Sequence, residues 1–312
     1  MKDILIIGGS YFAGRVLLEK LIQEKDYNIF IYNRGNIRLN WKEVTEFVGD
    51  RDNEERMKQV IPDKEWDAVI DFCAYTPEHI EKAVRSVPGK LNHYIFISTT
   101  TVYQDILDLP IKENAPKLTD IQPELGPYAD YGFNKWRSEC KLQEECKKRG
   151  IRFTSLRPAI IYGRYNYAPR ESYFFDLLRD NKPVIIPENK LPLFSFVWVV
   201  DVARIIIKCI GNDKVFDQAF NISADDLVSY RRLTEVLGEI SGKKPDIQLM
   251  SVDEINEKRI SLPFPLDSHL VYSGALIKRV LDFEYTPFLE GMRGTYKYYR
   301  MVQEKMKEKQ GK

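Results

Sequence analysis

The sequence predicts an α/β fold in which a doubly wound parallel sheet is followed by a smaller C-terminal substrate lobe. Three observations lead to this prediction. An apolar run at residues 4–7 passes through a glycine-rich turn into an amphipathic stretch, and strand-like and helix-like segments then alternate up to about residue 160. From about residue 168 onward prolines punctuate the chain and the alternation weakens. Regular alternation of this kind is typical of a Rossmann sheet with helices on both faces.

Short apolar runs and helical periodicity give the elements in order. Strands are predicted at residues 4–7, 28–33, 44–48, 68–72, 94–98 and 153–157, and helices at 15–22, 53–60, 77–86 and 131–149. Gly150 provides the C-terminal stop of the last helix. We therefore expect a dinucleotide-binding domain over residues 1–165 and a substrate-binding lobe over 166–312.

The turn after the first strand predicts a dinucleotide site. It connects the strand to a helix N-terminus, whose unpaired N–H groups and positive dipole end suit a pyrophosphate. Glycines allow the sharp turn and the close approach of a phosphate. We assign cofactor binding to the residues Gly8, Ser10, Tyr11, Phe12 and Gly14.

Tyr131 and Lys135 have the spacing of a proton-transfer pair. Side chains four residues apart share a helix face. There an ammonium group is expected to lower the pKa of a phenol from about 10 towards neutrality. A phenol so tuned takes the proton of a substrate hydroxyl while a cofactor takes the hydride.

Charge and composition exclude several other classes of protein. The 312 residues carry 47 basic and 46 acidic side chains, so no DNA- or RNA-binding surface is indicated by net charge. No apolar run reaches the roughly 20 residues of a membrane span, and the early first strand leaves no room for a signal peptide. Four scattered cysteines and three scattered histidines predict no metal site, and free thiols favour a cytoplasmic location.

Several segments in this order resemble the extended short-chain dehydrogenase/reductases, specifically the NAD-dependent epimerase/dehydratase family. They are the glycine turn, Ser98–Tyr103, Tyr131–Lys135, Arg157–Gly163 and Trp198–Ala203. The resemblance implies that Thr99 is the catalytic hydroxyl, Tyr131 the acid/base and Lys135 the lysine that lowers its pKa and binds ribose. It also implies that a segment of roughly 194–223 returns to the nucleotide domain, and that the helices at 77–86 and 131–149 pair in a homodimer.

Three departures from the family concern the loop and the substrate. Tyr11 stands at the middle glycine of the motif, which predicts a loop variant with negative φ or a tyrosine that covers the cofactor. Thr100 and Thr101 replace the Asp-Glu pair of the 4,6-dehydratases, so Thr100 is expected to contact substrate without dehydrating it. Phe194 stands where relatives have a pyrophosphate-binding arginine, so Arg170 or Arg279 would have to supply that charge.

A fourth departure concerns the cofactor. Asn33 and Arg34 follow the second strand in place of the acidic residue that binds the adenosine ribose of NAD. A neutral Asn does not repel a 2′-phosphate and Arg34 can pair with one, so we expect NAD(P) with NADP favoured over NAD. By resemblance, the further cofactor-binding residues are Asp50, Arg51, Phe72, Cys73, Ala74, Tyr75, Ser98, Pro158 and Ile160, together with Tyr131 and Lys135.

An aromatic segment, residues 165–176, is expected to lead into the substrate lobe. Its rings can stack on a sugar or base, and Arg170 can bind a phosphate. We assign substrate binding to Thr100, Arg170, Tyr173 and Arg279. The alternative for the rings is ordinary packing between lobes.

These features predict an NAD(P)-dependent epimerase or oxidoreductase that acts on a sugar, in the first place a nucleotide-linked one. The alternative is a dinucleotide-binding regulatory or RNA-binding protein on the same scaffold. A similar Gly-Gly-x-x-Phe-x-Gly loop occurs in an atypical subgroup of the family that includes chloroplast stem-loop RNA-binding proteins. The balanced charge and the Thr-Tyr-Lys set favour the enzyme.

Overall fold

The computed structural model describes residues 1–310 of the chain. Within that range the chain forms fourteen strands and ten α-helices. The strands are β1 (Lys2–Ile7), β2 (Tyr27–Asn33), β3 (Val44–Val48), β4 (Lys64–Trp66), β5 (Ala68–Asp71), β6 (Gly89–Leu91), β7 (His93–Ile97), β8 (Arg152–Pro158), β9 (Ile160–Tyr162), β10 (Val184–Pro187), β11 (Phe194–Trp198), β12 (Gln218–Ile222), β13 (Leu227–Val228) and β14 (Ile247–Met250). The helices are α1 (Phe12–Glu24), α2 (Glu54–Val60), α3 (Pro77–Ser86), α4 (Tyr131–Arg149), α5 (Glu171–Arg179), α6 (Val199–Cys209), α7 (Tyr230–Ser241), α8 (Val252–Glu257), α9 (Ala275–Leu281) and α10 (Phe288–Gln310).

Seven parallel strands form the main sheet, in the order β12-β8-β7-β5-β1-β2-β3. Strand β1 lies at the point where the winding reverses, paired with β2 on one side and β5 on the other. The α/β, doubly wound fold expected from the sequence is confirmed. Ligands of such sheets bind at the carboxyl ends of the strands next to the reversal.

Two apolar layers cover the two faces of this sheet, as its alternating strands and helices predict. One joins α1 and α6 to the sheet through residues such as Leu17 and Ile205, and the other joins α3 and α4 through Ile80 and Leu142. All four side chains are fully buried. The sheet is therefore held rigidly from both sides, which fixes the loops at its carboxyl edge.

The C-terminal part has its own aromatic core around two small sheets. Strands β9, β11 and β13 form one sheet, and β10 pairs with β14 in the other. Phe174, Phe196 and Phe264 lie in the core that these strands share with helices α5, α7 and α10. Strands β9 and β11 begin this region directly beside the main sheet, so the second half of the chain borders the carboxyl edge.

Two segments differ from the predicted division of the chain. Helix α6 and strand β12 do pack on the main sheet, but β11 pairs with β9 and β13 in the small sheet. Helix α9 was expected in the substrate lobe, yet its Ile277 and Leu281 are buried in the core of the nucleotide half. A helix of seven residues is too short for its sequence pattern to show which of the two cores it packs against. Within residues 1–310 no helix is both long and apolar enough to cross a membrane.

Candidate active site

The turn that follows β1 has a backbone conformation that few residues other than glycine adopt. Gly8 and Gly9 have φ of +93° and +87°, in the region that favours glycine. Gly14, in the first turn of α1, packs so tightly that an added Cβ would lie 2.5 Å from the Cα of Gly9. Tyr11 has φ of −115°, so the loop is the negative-φ variant, and its side chain is 53% exposed. The turn therefore forms a narrow cradle open to solvent at Tyr11.

The end of β2 offers an unsatisfied donor next to this cradle. The Asn33 Oδ1 atom accepts from the Gly35 backbone N–H at 2.7 Å, while its Nδ2 atom is buried without a partner within residues 1–310. An orphaned buried donor costs free energy unless a ligand accepts from it. Its place fits a ribose hydroxyl of a bound dinucleotide. Arg34 is exposed, and Arg38 follows on the same loop with its Nε near Gly35.

The resemblance assigned Arg51 to cofactor binding, but its terminal nitrogens point into the protein. They donate to the two carboxylate oxygens of Asp71 at 2.9 and 3.0 Å, to the Cys73 Sγ and to the His79 carbonyl. Burial acts to raise the pKa of Asp71, but the charge and hydrogen bonds of Arg51, together with the hydrogen bonds from Tyr94 and Cys73, hold that pKa below its ordinary value. Arg51 thus anchors the turn after β5 from inside. The resemblance did not reveal this because position along the chain does not show where a guanidinium points.

The Asp71 carboxylate holds that turn in place. It also accepts from the Tyr94 hydroxyl at 2.7 Å and from the backbone N–H groups of Cys73 and Ala74 at 2.9 and 3.0 Å. Burial raises the pKa of the Cys73 thiol to about 11, so it stays protonated. Cys73 is therefore a packed side chain against Gly8 and not a nucleophile.

Thr99 and Tyr131 come together where β7 ends and α4 begins. The Thr99 hydroxyl lies 3.0 Å from the Thr101 hydroxyl and close enough to the Tyr131 phenol to lower its pKa. Burial is nevertheless the largest influence, and it raises the pKa of Tyr131 above its ordinary value. The lowered pKa expected from the sequence is not found, and the phenol is protonated at neutral pH.

Lys135 lies one turn along α4 and is almost fully buried. Its Nζ atom donates to the Ile97 carbonyl at 2.8 Å and lies over the rings of Phe96 and Tyr75. Burial lowers the pKa of Lys135 to about 8. The ammonium is thus directed at the end of β7, which explains why it does not act on the Tyr131 phenol in this structure.

A buried ion pair connects α4 to the loop that carries Thr99. Arg157, on β8, donates to both carboxylate oxygens of Glu139, and both side chains are 4% exposed. The Ser98 hydroxyl donates to the same carboxylate at 2.6 Å, and the Tyr103 hydroxyl accepts from Arg157 at 2.8 Å. The sequence analysis missed Glu139, although an acidic residue one turn beyond Lys135 on the inner face of a helix was a usable signal.

The entrance to the site is lined by aromatic rings. Tyr75 lies against Tyr131, with ring centroids 6.5 Å apart, and Tyr167 meets Phe12 edge-on at 6.2 Å. Tyr167 comes from the aromatic segment after β9 and is 76% exposed. The segment therefore reaches the glycine turn of the nucleotide half.

The four residues expected to bind substrate fall in different places. Arg170 is half-buried and its charge reaches the Tyr131 phenol, whereas Arg279 is exposed on α9 with no described hydrogen bond to the site. Thr100 is buried, and its hydroxyl donates to the Pro158 carbonyl at 3.3 Å. Tyr173 packs edge-on against Phe174. Of the two arginines, only Arg170 has a charge that acts on the pKa of Tyr131.

The position that relatives use for a pyrophosphate arginine is closed. Phe194 is 1% exposed and lies in the aromatic core, 5.3 Å from the ring of Phe264 and 5.5 Å from that of Tyr230. A guanidinium in this place would lose its hydration without a partner. The packing of the lobe around Phe194 therefore leaves no place for an arginine at this position.

The chain is similar in sequence to several known proteins. The profile of the NAD dependent epimerase/dehydratase family matches residues 79–223. The chain is 25% identical to the chloroplast stem-loop binding protein of 41 kDa b of Arabidopsis thaliana, over 95% of this chain and 78% of that protein. It is 25% identical to a UDP-glucose 4-epimerase of Vibrio cholerae, over 80% and 78%.

The fold is also that of a solved structure. The dTDP-glucose 4,6-dehydratase of Bacillus anthracis, solved in complex with NAD, superposes with a TM-score of 0.76, covering 97% of this chain and 98% of that one at 15% identity. The matched segment contains Thr99, Tyr131 and Lys135. Over residues 79–223 the chain is therefore similar to the NAD dependent epimerase/dehydratase family, and its curated relatives include enzymes of this kind.

Proposed function

We propose that this enzyme is an NAD(P)-dependent epimerase or oxidoreductase acting on a hydroxyl or keto carbon of a sugar, in the first place a nucleotide-linked sugar. The observation that carries the proposal is the meeting of Thr99 and Tyr131 at the carboxyl edge of the sheet, near the glycine turn. The Thr99 hydroxyl and the Tyr131 phenol can there hydrogen-bond to the same substrate oxygen. The UDP-glucose epimerase among the relatives supports the substrate class.

Each residue has a separate task in the proposed reaction. A bound nicotinamide supplies the hydride acceptor or donor. Tyr131 exchanges the proton of the substrate hydroxyl, and Thr99 holds the oxygen while charge develops on it. Because burial keeps Tyr131 protonated, the free enzyme already carries the proton that reduction of a ketone consumes. Lys135 holds a positive charge beneath the site at pH 7, since its pKa is about 8.

Dehydration is not part of the proposal. Thr100 and Thr101 stand where 4,6-dehydratases carry two carboxylates, and neither hydroxyl can act as a strong acid or base at the eliminating centre. The proposed reaction therefore ends at the ketone or at its reduction. An epimerase would let the ketone turn over before hydride returns, and a reductase would release the product.

The end of β2 supports NADP over NAD as the cofactor. Arg34 and Arg38 lie on one exposed loop, and neither forms an ion pair within residues 1–310. The unpartnered Nδ2 of Asn33 provides a neutral donor beside them. Replacing both arginines by Ser is expected to weaken NADP binding about tenfold to a hundredfold and to leave NAD binding unchanged. Titration calorimetry measures both, and equal losses for the two cofactors would contradict the preference.

We also propose a cytoplasmic homodimer that pairs through α3 and α4. The outer face of α4 carries charged side chains, including Arg137, Glu144 and Lys147. A dimer formed there should weaken with salt because exposed ion pairs are screened. Sedimentation at low and high salt tests this, and a monomer at both would contradict it.

Two substitutions test the proposed reaction. Tyr131→Phe keeps the ring and removes the proton, and it is expected to lower kcat by about 10²–10⁴-fold. Thr99→Val removes the hydroxyl that holds the substrate oxygen and is expected to lower kcat by about 10²–10³-fold. Turnover is measured on a sugar nucleotide that the wild type converts, with cofactor affinity as the folding control.

Tyr128→Phe is the matched control. This tyrosine lies three residues before Tyr131 and is 72% exposed, so its loss of a hydroxyl should leave turnover unchanged. Wild-type turnover in Tyr131→Phe would exclude the proposed role of the phenol. An equal loss in Tyr128→Phe would show that the effect is not specific to the site.

A further inference from the structure

The ammonium of Lys135 has one oxygen acceptor and lies against two aromatic faces. An ammonium carries three N–H groups. One of them donates to the Ile97 carbonyl at 2.8 Å, and within residues 1–310 no second oxygen or nitrogen accepts from Nζ. The ring centroids of Phe96 and Tyr75 lie 4.7 and 5.0 Å from Nζ, where the face of an aromatic ring attracts a cation. These two rings thus take the place of the remaining acceptors.

Only one of these rings is free to move. Phe96 is fully buried on β7, whereas Tyr75 is 49% exposed. The Tyr75 hydroxyl forms no hydrogen bond within the part of the chain that the structure describes, residues 1–310. The backbone of Tyr75 is held, because its N–H donates to the His79 Nδ1 atom at 3.1 Å. The ring can therefore turn away from Lys135 by side-chain rotation while the turn after β5 stays in place.

The ligand expected at Lys135 is the ribose that is attached to the nicotinamide. Lys135 lies one helical turn from Tyr131, and hydride transfer requires the nicotinamide to lie beside the carbon whose hydroxyl Tyr131 serves. The adenosine ribose belongs at the other end of the dinucleotide, near Asn33. Hydrogen bonds from a charged donor to hydroxyl oxygens are stronger than a contact with a half-exposed ring. A ribose can therefore displace the Tyr75 ring, but it loses part of its binding free energy in doing so.

Building on the function proposed above, we infer that Tyr75 competes with the nicotinamide-side ribose for the Lys135 ammonium, so that the cofactor binds only after this ring has turned aside. A side chain that closes a site lowers the apparent affinity by the fraction of time for which the site is open. The Tyr75 ring also lies against Tyr131, with centroids 6.5 Å apart, so the same rotation uncovers the phenol. Tyr75 is thus a gate over both residues, whereas the resemblance assigned it to cofactor binding.

The test uses two probes that differ only by this ribose, ADP-ribose and ADP. Neither undergoes turnover, so titration calorimetry isolates the contact. Tyr75→Ala removes the ring, and we expect it to bind ADP-ribose about threefold to thirtyfold more tightly than the wild type does. Its affinity for ADP should be unchanged, which also shows that the variant is folded. Tyr75→Leu keeps an apolar side chain without an aromatic face and should show a gain in the same direction.

Three controls relate the gain to the ring and to the ammonium. Tyr75→Phe keeps the ring and should bind both probes as the wild type does. Tyr128→Ala removes another exposed tyrosine and should likewise change neither affinity. In protein that carries Lys135→Met, the substitution Tyr75→Ala should give no gain, because the ammonium for which ring and ribose compete is missing.

Equal or weaker binding of ADP-ribose by Tyr75→Ala and Tyr75→Leu would overturn the inference. An equal gain for ADP, or a gain that persists without Lys135, would overturn it as well. These results leave proton transfer by Tyr131 untouched, since the probes contain no substrate. Failure of both probes to bind any of the proteins would refute the dinucleotide site of the proposed function together with this inference.

Discussion

At the scale of single residues, Lys135 shows how burial in the site changes the pKa of a side chain from its value in solution. It is a buried ammonium whose pKa is lowered by burial from 10.5 to about 8. Between those two pH values the unfolded chain binds more protons than the folded protein, so this residue adds stability as pH rises. Below pH 8 the folded protein holds a desolvated charge at a cost in free energy.

Lys135→Met should therefore stabilise the fold at neutral pH while it impairs catalysis. The apolar side chain has a similar length and needs no hydration, so we expect a gain in the free energy of unfolding on the order of 1–2 kcal/mol at pH 7. The gain should shrink as pH rises from 8 to 10, because the wild-type lysine is then neutral when folded. Urea unfolding at several pH values measures it.

The exposed Lys147, on the same helix, is the control. Lys147→Met should change stability little, because this side chain is exposed. A stability difference for Lys135→Met that stays constant from pH 7 to pH 10 would rule out the proposed cause.

The sequence predicted which of these residues meet but not how they interact. The spacing of Tyr131 and Lys135 placed them on one helix face, and the structure agrees. The spacing does not report burial, and burial reverses the expected shift in the pKa of Tyr131. In the same way, the resemblance assigned Arg51 to cofactor binding, but its inward pairing with Asp71 depends on side-chain direction, which the sequence does not show.

At the scale of elements, the Glu139–Arg157 pair fixes helix α4 against the sheet. Glu139→Gln leaves the buried Arg157 charge without a counterion, so we expect it to lower the free energy of unfolding by about 3–5 kcal/mol. Changing both residues to Met removes the charge as well and should restore much of that loss. Urea denaturation of the single and double variants tests the pair.

Glu144, an exposed residue of α4 paired with Lys148, provides the comparison. Glu144→Gln should lower the free energy of unfolding far less than Glu139→Gln, because surface ion pairs contribute little. Equal losses in the free energy of unfolding for Glu139→Gln and Glu144→Gln would mean that burial is not what makes the Glu139–Arg157 pair important.

Helix α1 depends on Gly14 for its contact with the glycine turn. In Gly14→Ala the new Cβ would lie 2.5 Å from backbone, so the turn must shift, and we expect cofactor binding to be lost or weakened more than tenfold. Gly238→Ala, also within a helix, has its nearest atom at 3.4 Å and should bind cofactor normally. Cofactor titration separates the two, and normal binding by Gly14→Ala would refute the close-packing requirement.

Up to about residue 160, periodicity predicted the long elements well and the short ones poorly, and it gave no helices beyond that point. The helices expected at 77–86 and 131–149 match α3 and α4 at both ends. Pro77 is the first residue of α3, and Gly150, in the left-handed conformation, ends α4. Strands β4 and β6 were missed because each has three residues, too few to show alternation. They pair with each other beside the main sheet.

At the scale of the whole molecule, the chain crosses between its two halves more often than its sequence suggests. The return of α6 and β12 was expected, but helix α9 also comes back to the nucleotide half and β11 stays with the small sheet. Apolar residues alone do not specify which of two cores receives them. The aromatic segment after β9 connects the halves directly, through Glu19 and Phe12.

The central claim is that this connected cleft transfers hydride and proton between a sugar and a nicotinamide through Tyr131. The most direct measurement is the absorbance of the reduced-nicotinamide band in a single turnover, after mixing cofactor-loaded protein with candidate sugar nucleotides. We predict that the wild type shows the band and that Tyr131→Phe forms it about 10²–10⁴-fold more slowly. Equal rates in the two proteins, or no band with any sugar together with salt-sensitive retention of RNA, would contradict the account.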